Sequence, residues 1–310
     1  MRSVKPPCPR GAAIFLAAVT LWGCPKAPDP APDVAQPDGA GADNGEAPTP
    51  TETSRPFPPP DGSTPIVDVR GSSLELNPDD NMLSAALWRD AVWEEKQTEL
   101  LLAQLEPGDT FVDVGANLGY YTVLAAKKVG ATGRVFAFEP DPESFALLKR
   151  NVARNGLDQV VLENKAAGAT HGTLRLFLST ANRGDHRVYD PGGGRTSVEV
   201  EVVALDAYLA AAGGNVDFAK IDTRGAECAV LEGMKTTIAT QPQLALSLAY
   251  YPRFVEAMGY TPSVCFGALA DQGFKLEWID DDAGTVASVE TAALSPTQDG
   301  ALLLRARGPS

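Results

Sequence analysis

The chain has 310 residues, 44% of them apolar, and a formal net charge of −14. That length allows one large domain with additions, and the apolar content supports a real core. The acidic balance argues against a nucleic-acid partner held by phosphate neutralisation.

Residues 1–24 are built like a signal peptide. Arg2, Lys5 and Arg10 form a basic start without acids. Residues 11–23, GAAIFLAAVTLWG, are apolar or small except for Thr20. Such a run suits the apolar region of a secretory signal and is short for a bilayer span. Leu21, Gly23 and Cys24 look like a bacterial lipobox, although Trp22 stands where a small residue is usual. The expectation is a lipoprotein anchored through a lipidated Cys24 on the periplasmic side of the cell envelope. An uncleaved anchor, or a membrane-associated or cytoplasmic chain, is the alternative. Residues 25–65 hold 12 of the 25 prolines, with Ala, Asp, Gly and Thr between them. With so little to bury, they are expected to form a disordered tether to a folded domain over 66–310.

From about Asn81 the pattern MLSAALWRDAVWEEKQTELLLAQL is helical, and EPGDT breaks it. TFVDV is a short strand, and YYTVLAAKKV is a helix ended by Gly130. RVFAFEP is a second strand. A helix follows with Pro142 in its first turn and Gly156 at its end. QVVLENKAAG is a third strand. GTLRLFLS and TSVEVEVVAL form an added hairpin around a polar loop over 180–195. LDAYLAAAG is a short helix, NVDFAKID a strand and AECAVLEGMKTTIA a helix. QLALSLAYY is a strand and TPSVCFGALADQG a helix. FKLEWID and ALLLRAR close the sheet as an antiparallel pair. This alternation predicts an α/β fold of about seven main strands, mostly parallel, with helices on both faces. Cys228 and Cys265 both lie in apolar stretches. Two buried free thiols are the default for such a pair, and a disulfide is the alternative.

The strand TFVDV runs into Asp113-x-Gly115-x-Asn117-x-Gly119. A dinucleotide loop of the form G-x-G-x-x-G fails here at two of its three glycine positions, and no nucleoside-triphosphate loop is present. Glu139 ends the next strand. An acid at that place accepts hydrogen bonds from a ribose diol. Two acids with no phosphate grip suit S-adenosylmethionine, which carries a ribose, a sulfonium and an ammonium. No cluster of His and Cys argues for a metal.

Together, FVDVGANLGYYTVLAA, VFAFEPDPESFALLKRNVARNGL, NRGDHRVY and VDFAKIDTRGAECAVLEGM resemble the FkbM family of S-adenosylmethionine-dependent methyltransferases over about 90–275. The resemblance implies a Rossmann-like seven-strand class I methyltransferase sheet and methylation of a hydroxyl on a small molecule or saccharide. It implies that Asp113, Gly115, Asn117 and Gly119 shape the cofactor loop and that Glu139 holds the ribose. It puts Asp222 near the methyl group. An ion pair between Asp222 and Lys220, two residues apart on a strand, is the plain alternative. His186 is a candidate base on the polar loop. Two places depart from the family: Arg224 stands where an acid is frequent before Gly225, and Ser247 where a glutamate is common. Both bear on the acceptor side, so a catalytically inactive methyltransferase-fold lipoprotein, acting as a binding or envelope module, is the rival reading.

Overall fold

The computed structural model describes residues 56–305. The predicted signal segment, Cys24 and most of the predicted tether lie outside the described residues. The last ten residues of that tether are not loose. Phe57 packs 6.1 Å from the Trp88 ring, and Trp88 Nε1 donates to the Pro56 carbonyl. One aromatic side chain with a place in the core is enough to dock the proline-rich stretch around it.

A hairpin of β1 (Ile66–Val69) and β2 (Ser72–Glu75) opens the domain; its strands fall outside the predicted set. The predicted long helix is two helices, α1 (Leu83–Asp90) and α2 (Glu95–Gln104). Between them Ala91 and Glu94 adopt left-handed backbone, with φ of 55° and 41°. The chain there turns so that the Trp93 carbonyl accepts from Thr98 Oγ1 and Tyr120 Oη.

The α/β alternation follows: β3 (Thr110–Val114), α3 (Tyr120–Val129), β4 (Arg134–Phe138), α4 (Pro142–Arg154) and β5 (Val160–Glu163). Asp141 caps α4, accepting from Ser144 N at 2.9 Å, and Pro142 occupies the first turn. Then come β6 (Ala166–Ala167), β7 (Gly172–Phe177) and β8 (Ser197–Val203), which form a small separate sheet. The predicted third strand is thus divided between the two sheets. The rest is α5 (Leu205–Ala212), β9 (Phe218–Ile221), α6 (Glu227–Gly233), α7 (Lys235–Thr240), β10 (Ala245–Tyr250), α8 (Pro252–Ala257), α9 (Pro262–Asp271), β11 (Lys275–Asp280), β12 (Thr285–Ser288) and β13 (Gly300–Arg305).

The main sheet runs β12-β11-β13-β10-β9-β3-β4-β5. The five strands from β10 to β5 are parallel; β13, β11 and β12 join antiparallel. β11 and β13 pair as predicted, and β12 is an added edge strand. Alternate residues face two cores. Phe111, Val135 and Phe218 pack with α3 and α4, while Val112, Phe136 and Leu246 pack with α5 and α6. Strands covered on both faces have to be apolar throughout, which makes polar residues within them conspicuous. Three stand side by side: Asp113 on β3 is in register with Lys220 on β9, and Lys220 with Ser247 on β10. All three are buried. A buried charge has to be paired, so this row marks where the sheet interior becomes a site.

Cys228 on α6 and Cys265 on α9 are joined in a disulfide, with Cα atoms 5.9 Å apart. The default expectation of two free thiols is therefore corrected. Both cysteines face the same inter-helix seam, a placement that apolar flanks alone do not reveal.

Candidate active site

The loop after β3 is held by backbone contacts that leave no room for side chains. Gly115 N and Ala116 N both donate to the Phe138 carbonyl. Gly115 has φ of +84°, and a β-carbon there would lie 2.0 Å from the Asp222 carbonyl oxygen. Only glycine permits that approach of the β3 and β9 ends. Gly119, at φ +94°, starts α3 against Leu148. Asn117 is also left-handed, and its N–H donates to Glu139 Oε2 at 2.7 Å. Glu139 Oε1 accepts from Asp141 N at 2.8 Å. Burial nevertheless pushes the Glu139 carboxyl up to about 8, against the pull of those two N–H donors.

Gly115, Asn117, Glu139, His186 and Asp222 all line one cavity. Asp113 and Gly119 do not line it. Asp113 Oδ2 accepts from Thr122 Oγ1 at 2.6 Å, and Oδ1 has no hydrogen-bond partner. Burial raises the Asp113 carboxyl, with Lys220 opposing.

Asp222 is engaged by Lys220, whose Nζ is 3.2 Å from Oδ2. Burial works against the Asp222 charge, but Lys220 and Arg224 outweigh it and hold the carboxyl below its usual range. Asp222 is thus ion-paired as the plain alternative expected, and it also lies on the cavity wall. Its Oδ1 is buried without a hydrogen-bond partner. Arg224 Nε stands 4.0 Å from that oxygen, outside hydrogen-bond distance, so Oδ1 keeps room to accept from a ligand, and Glu139 fits a diol. The residues present therefore suit S-adenosylmethionine.

His186 is turned toward the cofactor side. Its Nδ1 accepts from Ser179 N at 2.9 Å, so the proton of the neutral ring lies on Nε2. Nε2 stands 3.4 Å from Asp141 Oδ2. That is a close polar contact without hydrogen-bond alignment. Burial alone would raise the Asp141 carboxyl; His186 and Ser144 reverse this and hold it down at about 2. The imidazole thus ties the 180–195 loop to the cap of α4. Arg224 ties the same loop from the other side, donating from Nε to the Gly184 carbonyl at 2.8 Å.

Lys220 and Asp222 also line a second cavity, between the sheet end and the β11–β13 region. Glu94 belongs to it. Its Oε2 accepts from Tyr121 Oη at 2.8 Å and Gln97 Nε2 at 2.7 Å. Burial raises the Glu94 carboxyl, with Lys220 opposing. Sequence reasoning missed this residue. The only local sign is a non-glycine residue in left-handed backbone, which a helical pattern conceals. Ser247 lines the same cavity as Glu94, while Arg224 lines the cofactor-side cavity.

Residues 113–275 match the family model described as the methyltransferase FkbM domain. The chain is 29% identical over 158 residues to the hexuronic acid methyltransferase AglP of Haloferax volcanii, covering 49% of this chain and 62% of that protein. It is 27% identical over 156 residues to a probable cobalt-precorrin-6B C(15)-methyltransferase of Saccharolobus solfataricus, covering 44% and 74%. Among solved structures, the FkbM methyltransferase of Methylobacillus flagellatus matches with a TM-score of 0.41 and 15% identity, over 64% of this chain and 44% of that one.

Proposed function

Since the chain belongs to the FkbM methyltransferase family, whose cofactor is S-adenosylmethionine, we propose that it methylates a hydroxyl oxygen of a small polyhydroxylated acceptor, a saccharide foremost. The observation that carries this reading is the meeting of two cavities at Lys220 and Asp222. One has the glycine loop and Glu139 for a cofactor, and the other is polar and open for an acceptor. A saccharide is supported by the Haloferax volcanii relative, named for a hexuronic acid. This chain spans 62% of that protein's length.

Bound S-adenosylmethionine supplies an electrophilic methyl group. Glu139 and the Gly115–Asn117 backbone would hold its ribose end. Asp222, kept charged by Lys220, would balance its cationic end. The acceptor hydroxyl has to lose its proton. Asp222 suits that task poorly, because its ion pair lowers its basicity. Glu94 suits it better: its carboxyl is raised, it lines the acceptor cavity, and Oε2 is steadied by Tyr121 and Gln97. Glu94 Oε1 is thus the proton acceptor, and His186 is a positioning residue for the loop over the cofactor. The inactive-module reading loses support at Ser247, because Glu94 brings a carboxylate to the same cavity.

We further propose that the chain acts outside the cytoplasm, anchored through Cys24. The Cys228–Cys265 disulfide supports export, since such bonds persist in oxidising compartments. The test of the catalytic reading is a calorimetric titration with S-adenosylmethionine, paired with transfer of labelled methyl to methyl glycosides. Glu139→Ala should weaken cofactor binding by roughly 1–3 kcal/mol, from two lost hydrogen bonds. A wild-type chain that binds no cofactor would sink the proposal.

A further inference from the structure

The acceptor cavity has a charge of its own. Its wall carries six carboxylates, Glu94, Asp222, Asp280, Asp281, Asp282 and Asp299, and one cation, Lys220. From outside the wall Arg253 stands 3.8 Å from Asp299 and Arg224 4.0 Å from Asp222, so the acids still outnumber the cations that meet them. The Lys220 ammonium is already engaged by Asp222 at 3.2 Å. The crowding is felt at Asp281, whose carboxyl is raised by burial and then by Asp282 and Asp280. The cavity holds about 320 Å³, the lower end of what small-molecule sites offer.

A second observation points to a ligand there. Ser247 is 2% exposed and lines the cavity, and its Oγ has no hydrogen-bond partner. Buried hydroxyls are nearly always paired, so an orphan at a cavity wall marks a place for a ligand's polar atom. Trp278 and Tyr251 line the same cavity and offer apolar ring surface. Arg224 packs 4.3 Å from the Tyr251 ring centre, which fixes that ring against the cofactor-side loop.

Carboxylates accept hydroxyl protons, a serine hydroxyl serves either role, and ring faces cover C–H surface. That set fits a sugar-like polyol. The negative field turns away a carboxylate or phosphate, because like charges brought together in a partly desolvated site repel strongly. We infer that this cavity selects an acceptor without negative charge, a neutral or amino-substituted polyol, and discriminates against uronic acids. The inference rests on the methyl-transfer reading above and separates this chain from its hexuronic acid relative.

The test measures binding apart from turnover. The full chain, loaded with S-adenosylhomocysteine, is titrated by saturation-transfer NMR with methyl glucoside, methyl glucosaminide and methyl glucuronide. The glucoside and glucosaminide should bind, and the glucuronide at least about tenfold more weakly. The deficit should shrink at high salt. Asp282→Lys, at an exposed rim position, should narrow it while leaving Tm unchanged. Glucuronide binding equal to or tighter than glucoside binding overturns the inference and leaves methyl transfer standing. Binding of none of the three sugars by the loaded protein also overturns it. Failure to bind S-adenosylhomocysteine at all defeats the methyl-transfer reading instead.

Discussion

Gly115 and Asp222 touch through their backbones: a β-carbon on the glycine would lie 2.0 Å from the aspartate carbonyl oxygen. This contact sets the floor on which both cavities meet. Gly115→Ala has to push the β9 end away and strain a φ of +84°. It should cost roughly 1–3 kcal/mol of stability and at least about tenfold in cofactor affinity. Gly156→Ala, at φ +63° with open space around it, isolates the strain from the clash. Equal behaviour of the two variants in calorimetry would remove the contact as a determinant.

Glu139 makes the free protein pH-sensitive. Its folded pKa of about 8 lies above the ordinary 4.5. Between those values the folded chain keeps a proton that the unfolded chain releases. The stabilisation is complete below the ordinary value and is lost as pH rises through about 8. Glu227, raised to about 7 by burial, acts in the same direction. The Tm of the cofactor-free protein should therefore fall from pH 5 to pH 8.5. Glu139→Gln should flatten part of that decline, and an unchanged slope in scanning calorimetry would count against the assignment.

Glu94→Gln keeps shape and removes the base. Turnover at saturating cofactor should fall by about 10²–10⁴ with cofactor affinity intact. His186→Ala should show the opposite pattern: weaker cofactor binding, because the loop loses its tie to Asp141, and a smaller loss of turnover. If His186→Ala has the larger effect on turnover, the proton belongs to the imidazole and not to Glu94.

The disulfide closes a sequence separation of 37 residues. Loop-closure entropy for such a length gives about 4 kcal/mol as an upper figure. Cys228→Ser with Cys265→Ser should lower Tm, and reductant should lower the wild-type Tm toward that of the variant. A reduced wild type with unchanged melting would show that the bond adds nothing to stability.

Export is tested at Cys24. A full-length chain produced in a bacterium should take up labelled fatty acid, and Cys24→Ser should not. A soluble, unlabelled wild-type chain would leave the anchor proposal without support.

Much of the frame is legible in the sequence because it depends on neighbours along the chain. The parallel strands announce themselves as apolar runs, α4 by Pro142 and Gly156, and the cofactor loop by glycines after an acid. Glu139 is found by its place at a strand end. These signals are short-range turn chemistry and periodicity, and tertiary packing leaves them intact. Other features arise only when distant segments meet. Ala91 and Glu94 break a stretch that reads as one helix, because the Trp93 carbonyl is claimed by Thr98 and by Tyr120 from another helix. That break brings Glu94 to Lys220 and Asp222, a neighbourhood no spacing encodes. His186 reads as a free loop base until folding places Ser179 N–H on one nitrogen and Asp141 beside the other. Cys228 and Cys265 become a pair because α6 packs on α9. The sequence by itself determined the sheet, the glycine loop after β3 and the carboxylate at the end of β4. Tertiary structure alone decided that Glu94 joins Lys220, Asp222 and Ser247 on one cavity wall and what charge that wall carries, since both depend on side chains from separate elements converging there.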